Sequence, residues 1–163
     1  MKLPVLEEVK FLRRYKRFLA DVENINGEKE TVYCPNTGAM TACDTPGSRA
    51  WLSNSKNTQR KFPKTLEFVQ TLDGLVGIRS AFANNLVQEA ISRSVLSGTG
   101  EFKLRSSEPR IPGGKGRFDF LYSAQNKLIF VEVKSVSYLF GKDVGTVSYT
   151  HLRAHETDSY LVC

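Results

Sequence analysis

The sequence predicts an α+β, mixed chain: a small β-domain over residues 1–79, followed by an α/β unit over residues 80–146. Three observations predict it. Short strand-like runs separated by turn signals fill the first half. One stretch of helical periodicity follows near residue 80. After it the pattern becomes strand, turn, strand, which is how an α+β unit reads.

In the first half, FLRRYKRFLADV (11–22), TVYCP (31–35), RAWLS (49–53) and TLEFVQTL (65–72) are the strand candidates. NING, PNTG, TPGS and LDGL break them, and several short strands at this spacing indicate a small barrel or sandwich. In SAFANNLVQEAISRSVLSGTG (80–100), Phe82, Leu86 and Ala90 recur with Val87, Ile91 and Val95 at helical spacing. Ser80 can cap that helix and Gly98 can end it. FDFLY (118–122) and KLIFVEV (127–133) then form a hairpin around SAQN (123–126).

Composition sets broad limits. At 163 residues, with 40% apolar and 25% charged content, the chain reads as globular. It has neither a long apolar run nor a signal-peptide pattern, so a cytoplasmic protein without a membrane partner is expected. Cys34, Cys43 and Cys163 are too few and too irregular for a disulfide framework or a zinc knuckle, and read as buried reduced thiols. The net charge of +6, from 23 basic and 17 acidic residues, favours a polyanionic partner. No motif calls for a small-molecule cofactor, and oligomeric state stays open.

The segment 147–163, VSYTHLRAHETDSYLVC, is expected to be a non-native tail, because it matches the translation of a transposon-type sequencing adapter. His151 and His155 stand four apart, as zinc-binding histidines often do, but no third ligand accompanies them. Setting the tail aside leaves no histidine, so histidine general-base chemistry is excluded. It also implies a native chain truncated near residue 146.

The hairpin RFDFLYSAQNKLIFVEVK carries the chemistry. If SAQN closes it symmetrically, residue 122 faces 127 and 119 faces 130, so Asp119, Glu132 and Lys134 share one face. Two carboxylates so placed suit one hard cation, Mg2+ or Mn2+, and Lys134 would orient a water or stabilise developing charge in phosphodiester hydrolysis. Glu89, on the preceding helix, is a further candidate acid. A solvated, mutually paired sheet face is the plainer alternative. Against it, Glu132 and Lys134 interrupt an otherwise apolar run.

A second constellation is KFLRRYKRF, where Lys10, Arg13, Arg14, Lys16 and Arg17 interleave with Phe11, Tyr15 and Phe18. Charge that neutralises phosphate beside stacking surface is what OB-type nucleic-acid binders use. A basic edge strand that resists aggregation is the other reading. Lys115 and Arg117, in the glycine-rich PRIPGGKGR, complete the set of nucleic-acid candidates, although that loop lacks the spacing of a phosphate-binding P-loop.

FDF followed by EVK, with an acid-bearing helix upstream, resembles the PD-(D/E)XK nuclease superfamily. RRYKRFLADV, CPNTGAM, PGSRAWLS, RKFPKTLEFV, DGLVG, NNLVQEAI and RFDFL with VEVKSVS resemble, in order, the sugar fermentation stimulation protein A (SfsA) family. That resemblance implies an OB-fold-like β-barrel, then a PD-(D/E)XK nuclease-like domain, truncated here. It also implies a DNA-binding protein with a regulatory role in sugar metabolism. By position it places Asp119, Glu132 and Lys134 in the nuclease-like motif and Glu89 on the upstream helix. Gly116 and Ala39 stand where the family pattern has serine. Three functions follow as expectations: DNA binding mainly through phosphate, Mg2+- or Mn2+-dependent cleavage, or a non-catalytic interaction module.

Overall fold

Inward Val9 and Phe11 alternate with outward charged residues along β1 (Leu6–Tyr15), and this two-residue period recurs in β2 (Leu19–Glu23), β3 (Lys29–Tyr33) and β4 (Arg49–Asn54). The computed structural model describes residues 1–36, 38, 40, 42–57, 59–140 and 144–147, the last two strands by backbone alone. β5 (Lys64–Thr71) and β6 (Gly74–Gly77) complete a six-stranded sheet in the order β3-β2-β1-β4-β5-β6. A parallel pairing of Tyr33 with Thr65 joins β3 to β5, so the order returns on itself. The result is an OB-like domain whose core holds Phe11, Val22, Val32, Leu52, Leu66 and Val69. Cys34 and Cys43 lie in that core, where burial raises both thiol pKa values. Cys163 lies outside the described residues.

The helix α1 (Ala81–Ser92) is followed by a three-stranded sheet in the order β7 (Lys103–Ser107), β8 (Phe120–Ala124), β9 (Lys127–Val131). Val87 and Ile91 of α1 bury against Phe120, Tyr122 and Val131. By contacts the chain divides into two units. Lys2–Ser80 groups with the hairpin of β10 (Val136–Phe140) and β11 (Val144–Val147), and Ala81–Lys134 groups with Met1. Among the described residues, no helix is long and apolar enough to cross a membrane.

Four sequence expectations need correction. FLRRYKRFLADV is not one strand, because Lys16 (φ 50°) and Arg17 (φ 63°) turn left-handed and fold it into the β1–β2 hairpin. No Gly, Asn or Pro announces that turn. The helix stops at Ser92, and Leu86 and Val95 are exposed, because tertiary contacts select only the Val87 and Ile91 stripe. β7 has no signature in the sequence, since all five of its residues are exposed and it carries no apolar period. Finally, the β8–β9 turn holds only Gln125 and Asn126, both with positive φ, so Tyr122 pairs with Ile129 and Leu121 with Phe130.

One carboxylate is wholly enclosed in the first unit. Glu67 Oε1 accepts from Ser53 Oγ at 2.5 Å and from Arg79 Nη1 at 3.0 Å. Such a pair offsets a desolvation cost and specifies geometry more than it adds stability.

Phe11→Ala should cost about 3–5 kcal/mol of unfolding free energy, because its ring is wholly buried. Phe18→Ala, at a half-exposed turn position, should change it by about 0.5 kcal/mol or less. Urea denaturation of the two variants tests the contrast.

Candidate functional site

The first candidate region is the outer face of β1, β2 and β3. Phe11 pairs with Val22 and Arg13 with Asp21, so Leu12 is the extra residue of a β-bulge. Since Val9 and Phe11 point inward, regular alternation would send Arg13 and Tyr15 inward as well. The extra residue reverses this and turns both outward.

There Asp21 accepts from Arg13 Nε at 2.8 Å, Thr31 Oγ1 at 2.7 Å and Tyr15 OH at 3.1 Å. Burial alone would raise the Asp21 pKa. The hydrogen bonds from Arg13, Thr31 and Tyr15 outweigh it, and the carboxyl sits below its ordinary value. The Arg13 guanidinium also lies 5.2 Å from the Tyr15 ring centroid.

The five basic candidates of this hairpin therefore differ in role. Arg13 is paired to Asp21. Arg14, opposite buried Ala20, donates to the carbonyls of Arg17 and Asn36, both at 2.6 Å, and so holds the hairpin turn to the loop after β3. Lys10, Lys16 and Arg17 are exposed, and among the described residues they enter no ion pair through their side chains. Sequence reasoning missed Tyr33 and Arg60, whose guanidinium lies 5.1 Å from the Tyr33 ring centroid. They are 27 positions apart in the chain, and only the approach of β3 to β5 joins them.

The second region is the end of the β8–β9 hairpin. The ladder pairs Phe120 with Val131, yet the Asp119 N–H also donates to the Val131 carbonyl at 3.1 Å. Two residues thus oppose one, and the alternation breaks at Asp119. Phe118 consequently packs on Phe130, with ring centroids 5.1 Å apart. Asp119 turns toward α1, where Oδ1 accepts from Asn84 Nδ2 and Oδ2 from the Val133 N–H, each at 2.7 Å.

Glu132 takes a different direction. Val131 and Val133 both pack into the α1-facing core, so Glu132 between them lies on the other side, ion-paired with Lys134. The single face expected for Asp119, Glu132 and Lys134 is therefore not what the structure builds. The acids flank the Val133 peptide without sharing a face.

Glu89 stands about 200° around α1 from both Val87 and Ile91 and pairs with Arg93 at 3.1 Å. Hydrogen bonds from the N-terminal ammonium and then from Arg93 lower its pKa. Asn84, which no motif marked, is the α1 side chain that meets Asp119.

Lys115 is exposed in the glycine loop, and Arg117, also exposed, pairs with Glu108 at 3.1 Å. The loop is closed by the Ile111 N–H to Gly116 carbonyl bond, and a Cβ on Gly114 would approach Ile111 Cγ2 to 2.9 Å, which explains glycine there. Among the described residues, no group of three or more His, Cys, Asp or Glu could hold a metal ion.

An OB-like domain with a basic, aromatic outer face, followed by a helix packed on a small sheet with a fixed carboxylate at its end, defines a two-part chain of an OB-like unit and a small α/β unit. Comparisons with known proteins agree. A family described as the SfsA N-terminal OB domain matches residues 12–78, and one described as the sugar fermentation stimulation protein RE domain matches residues 81–146. The chain belongs to the SfsA family.

It is similar to Pyrococcus furiosus SfsA, whose structure was solved in complex with Ca2+. Identity is 25% and the TM-score 0.73, over 86% of this chain and 59% of that one. The second match takes in the β10–β11 hairpin that contacts assign to the first unit. Family matching follows descent and contacts follow packing, so both divisions stand.

Because the Asp21 pKa is lower in the folded chain than in the unfolded one, its contribution is present above the ordinary carboxylate value and is lost as pH falls through the folded value. Asp21→Asn should flatten the acid limb of stability as pH falls below the ordinary carboxylate value. Urea midpoints measured across that fall in pH test the sign.

Proposed function

We propose that this chain binds DNA largely without sequence preference, through phosphate contacts made by the β1–β2 hairpin of its OB-like domain. The observation that carries the reading is the exposed, left-handed turn at Lys16 and Arg17, with Lys10 exposed along β1. Membership of the SfsA family and a net charge of +6 support it. Each cation that neutralises a phosphate releases counterions, so affinity should fall steeply with salt. Lys115, exposed in the glycine loop, is a further phosphate candidate. A regulatory role in sugar metabolism and a cytoplasmic setting go with the family reading. A non-catalytic interaction module is the reading left if no DNA binds.

A second reading is Mg2+- or Mn2+-dependent cleavage of DNA, with Asp119 and Glu132 as ligands and Lys134 and Glu89 assisting. It is favoured by the Asp119 carboxylate, fixed by two N–H donors, by the description of the second family match as an RE domain, and by the Ca2+ in the Pyrococcus structure. All-oxygen donors suit a hard cation. Their placement does not, because Glu132 lies on the other side of its strand from Asp119 and is paired with Lys134.

Fluorescence anisotropy of labelled DNA across a KCl series tests the leading reading. Lys16→Ala with Arg17→Ala should reduce the slope of log affinity against log salt by about 2, roughly 0.9 for each phosphate contact. An unchanged slope removes the turn from the interface. On the same DNA, Mn2+-dependent cleavage that disappears in Asp119→Ala would establish the second reading, and intact DNA with salt-dependent binding supports the first.

A further inference from the structure

Leu19 is 7% exposed yet takes no part in the core of the first unit, although Ala20 and Val22 on the same strand do. Its cover comes from the outside. Register places Tyr15 of β1 on one side of it and Tyr33 of β3 on the other, so the three form one row across the sheet's outer face. Thr65 of β5 pairs with Tyr33 and extends the row. Neighbouring strands lie about 4.8 Å apart, so the two rings stand roughly 10 Å from one another with a leucine floor between them.

The same unit is rich in rings that carry cations. Arg13 lies over Tyr15, Arg60 over Tyr33, Arg49 over Trp51 and Lys61 over Phe62, with distances of 5.1 to 5.6 Å to the ring centroids. These four described pairs all fall within Lys2–Ser80, a segment of about 80 residues, where roughly one is ordinary. Two flank the leucine row directly. The exposed Lys16 and Arg17 stand beside Tyr15 at one end of that row, and Phe18, 45% exposed, completes the turn. Arg60 approaches it from the loop that leads into β5, with its guanidinium over Tyr33.

Resting on the DNA-binding reading above, we propose that the outer face of β1–β2–β3 is a platform for an unpaired DNA strand, with bases against Tyr15 and Tyr33 and the backbone held by Arg13, Lys16, Arg17 and Arg60. A duplex presents its phosphates but keeps its base faces stacked on one another, so it uses the charges and leaves the rings idle. An unpaired strand uses both. Each ring already has a planar cation beside it, so a base and its phosphate find stacking surface and counter-charge at one place. Leu19 fills the gap between the rings and keeps water from beneath a bound base.

Anisotropy with an oligo-dT strand and a duplex of equal length, at one salt concentration, separates the possibilities. The strand should bind about tenfold or more tighter than the duplex. Tyr15→Leu with Tyr33→Leu keeps apolar cover over Leu19 and removes no charge. It should weaken strand binding by about thirtyfold or more, the low end for two stacked bases, and leave duplex binding and both salt slopes unchanged.

Tyr33→Phe keeps the ring and should bind as the parent does. If circular dichroism shows the double variant unfolded, Arg60→Ala takes its place, with a loss of strand affinity expected to exceed the loss for duplex. Equal affinity for strand and duplex, both indifferent to the tyrosines, overturns this inference and leaves the DNA-binding reading intact. Absence of binding to either form overturns both.

Discussion

The outer surface of the first unit depends on one extra residue in β1. With Val9 and Phe11 committed to the core, an unbroken β1 would drive Arg13 and Tyr15 into it too, at the cost of burying a guanidinium. The bulge at Leu12 averts this and assembles the Arg13, Tyr15, Asp21 and Thr31 network on the outside. It also points Arg14 toward the interior end of the sheet, where two backbone carbonyls receive it. A basic stretch in the sequence thus becomes three kinds of cation: paired, structural and exposed.

A similar irregularity governs the second unit. At Asp119 two residues oppose Val131, and the side chain that alternation assigns to the face of Glu132 turns instead toward α1. Because the side-chain period of a strand is two, a one-residue irregularity is enough to separate a pair of acids that a regular hairpin would bring together. The partners found there, Asn84 and the Val133 N–H, hold the carboxylate by charge-assisted bonds. Such a carboxylate is well oriented, but the second acid is engaged by Lys134 on the other side.

The two units also differ in how they bury apolar surface. The first closes its core through strands that return to one another, with Tyr33 and Thr65 as the joining pair. The second relies on a single helix laid on three strands, one of which, β7, is exposed along its whole length. The DNA-binding surface proposed for the first unit therefore lies on a sheet face. In the second unit the oriented carboxylate lies at the end of a hairpin, where the ladder stops.

Much of this was legible in the sequence alone. Alternation and turn residues marked most strands of the first unit, helical spacing marked α1, and the density of Lys and Arg near residue 13 marked the basic hairpin. The order of motifs was enough to place the chain in its family. What only the tertiary structure decided is which way individual side chains face. The bulges at Leu12 and Asp119, the left-handed turn at Lys16 and Arg17, and the meeting of Tyr33 with Arg60 have no local signature. Each arises where packing against distant strands outweighs local preference, and a sequence read residue by residue carries the preference but not the packing.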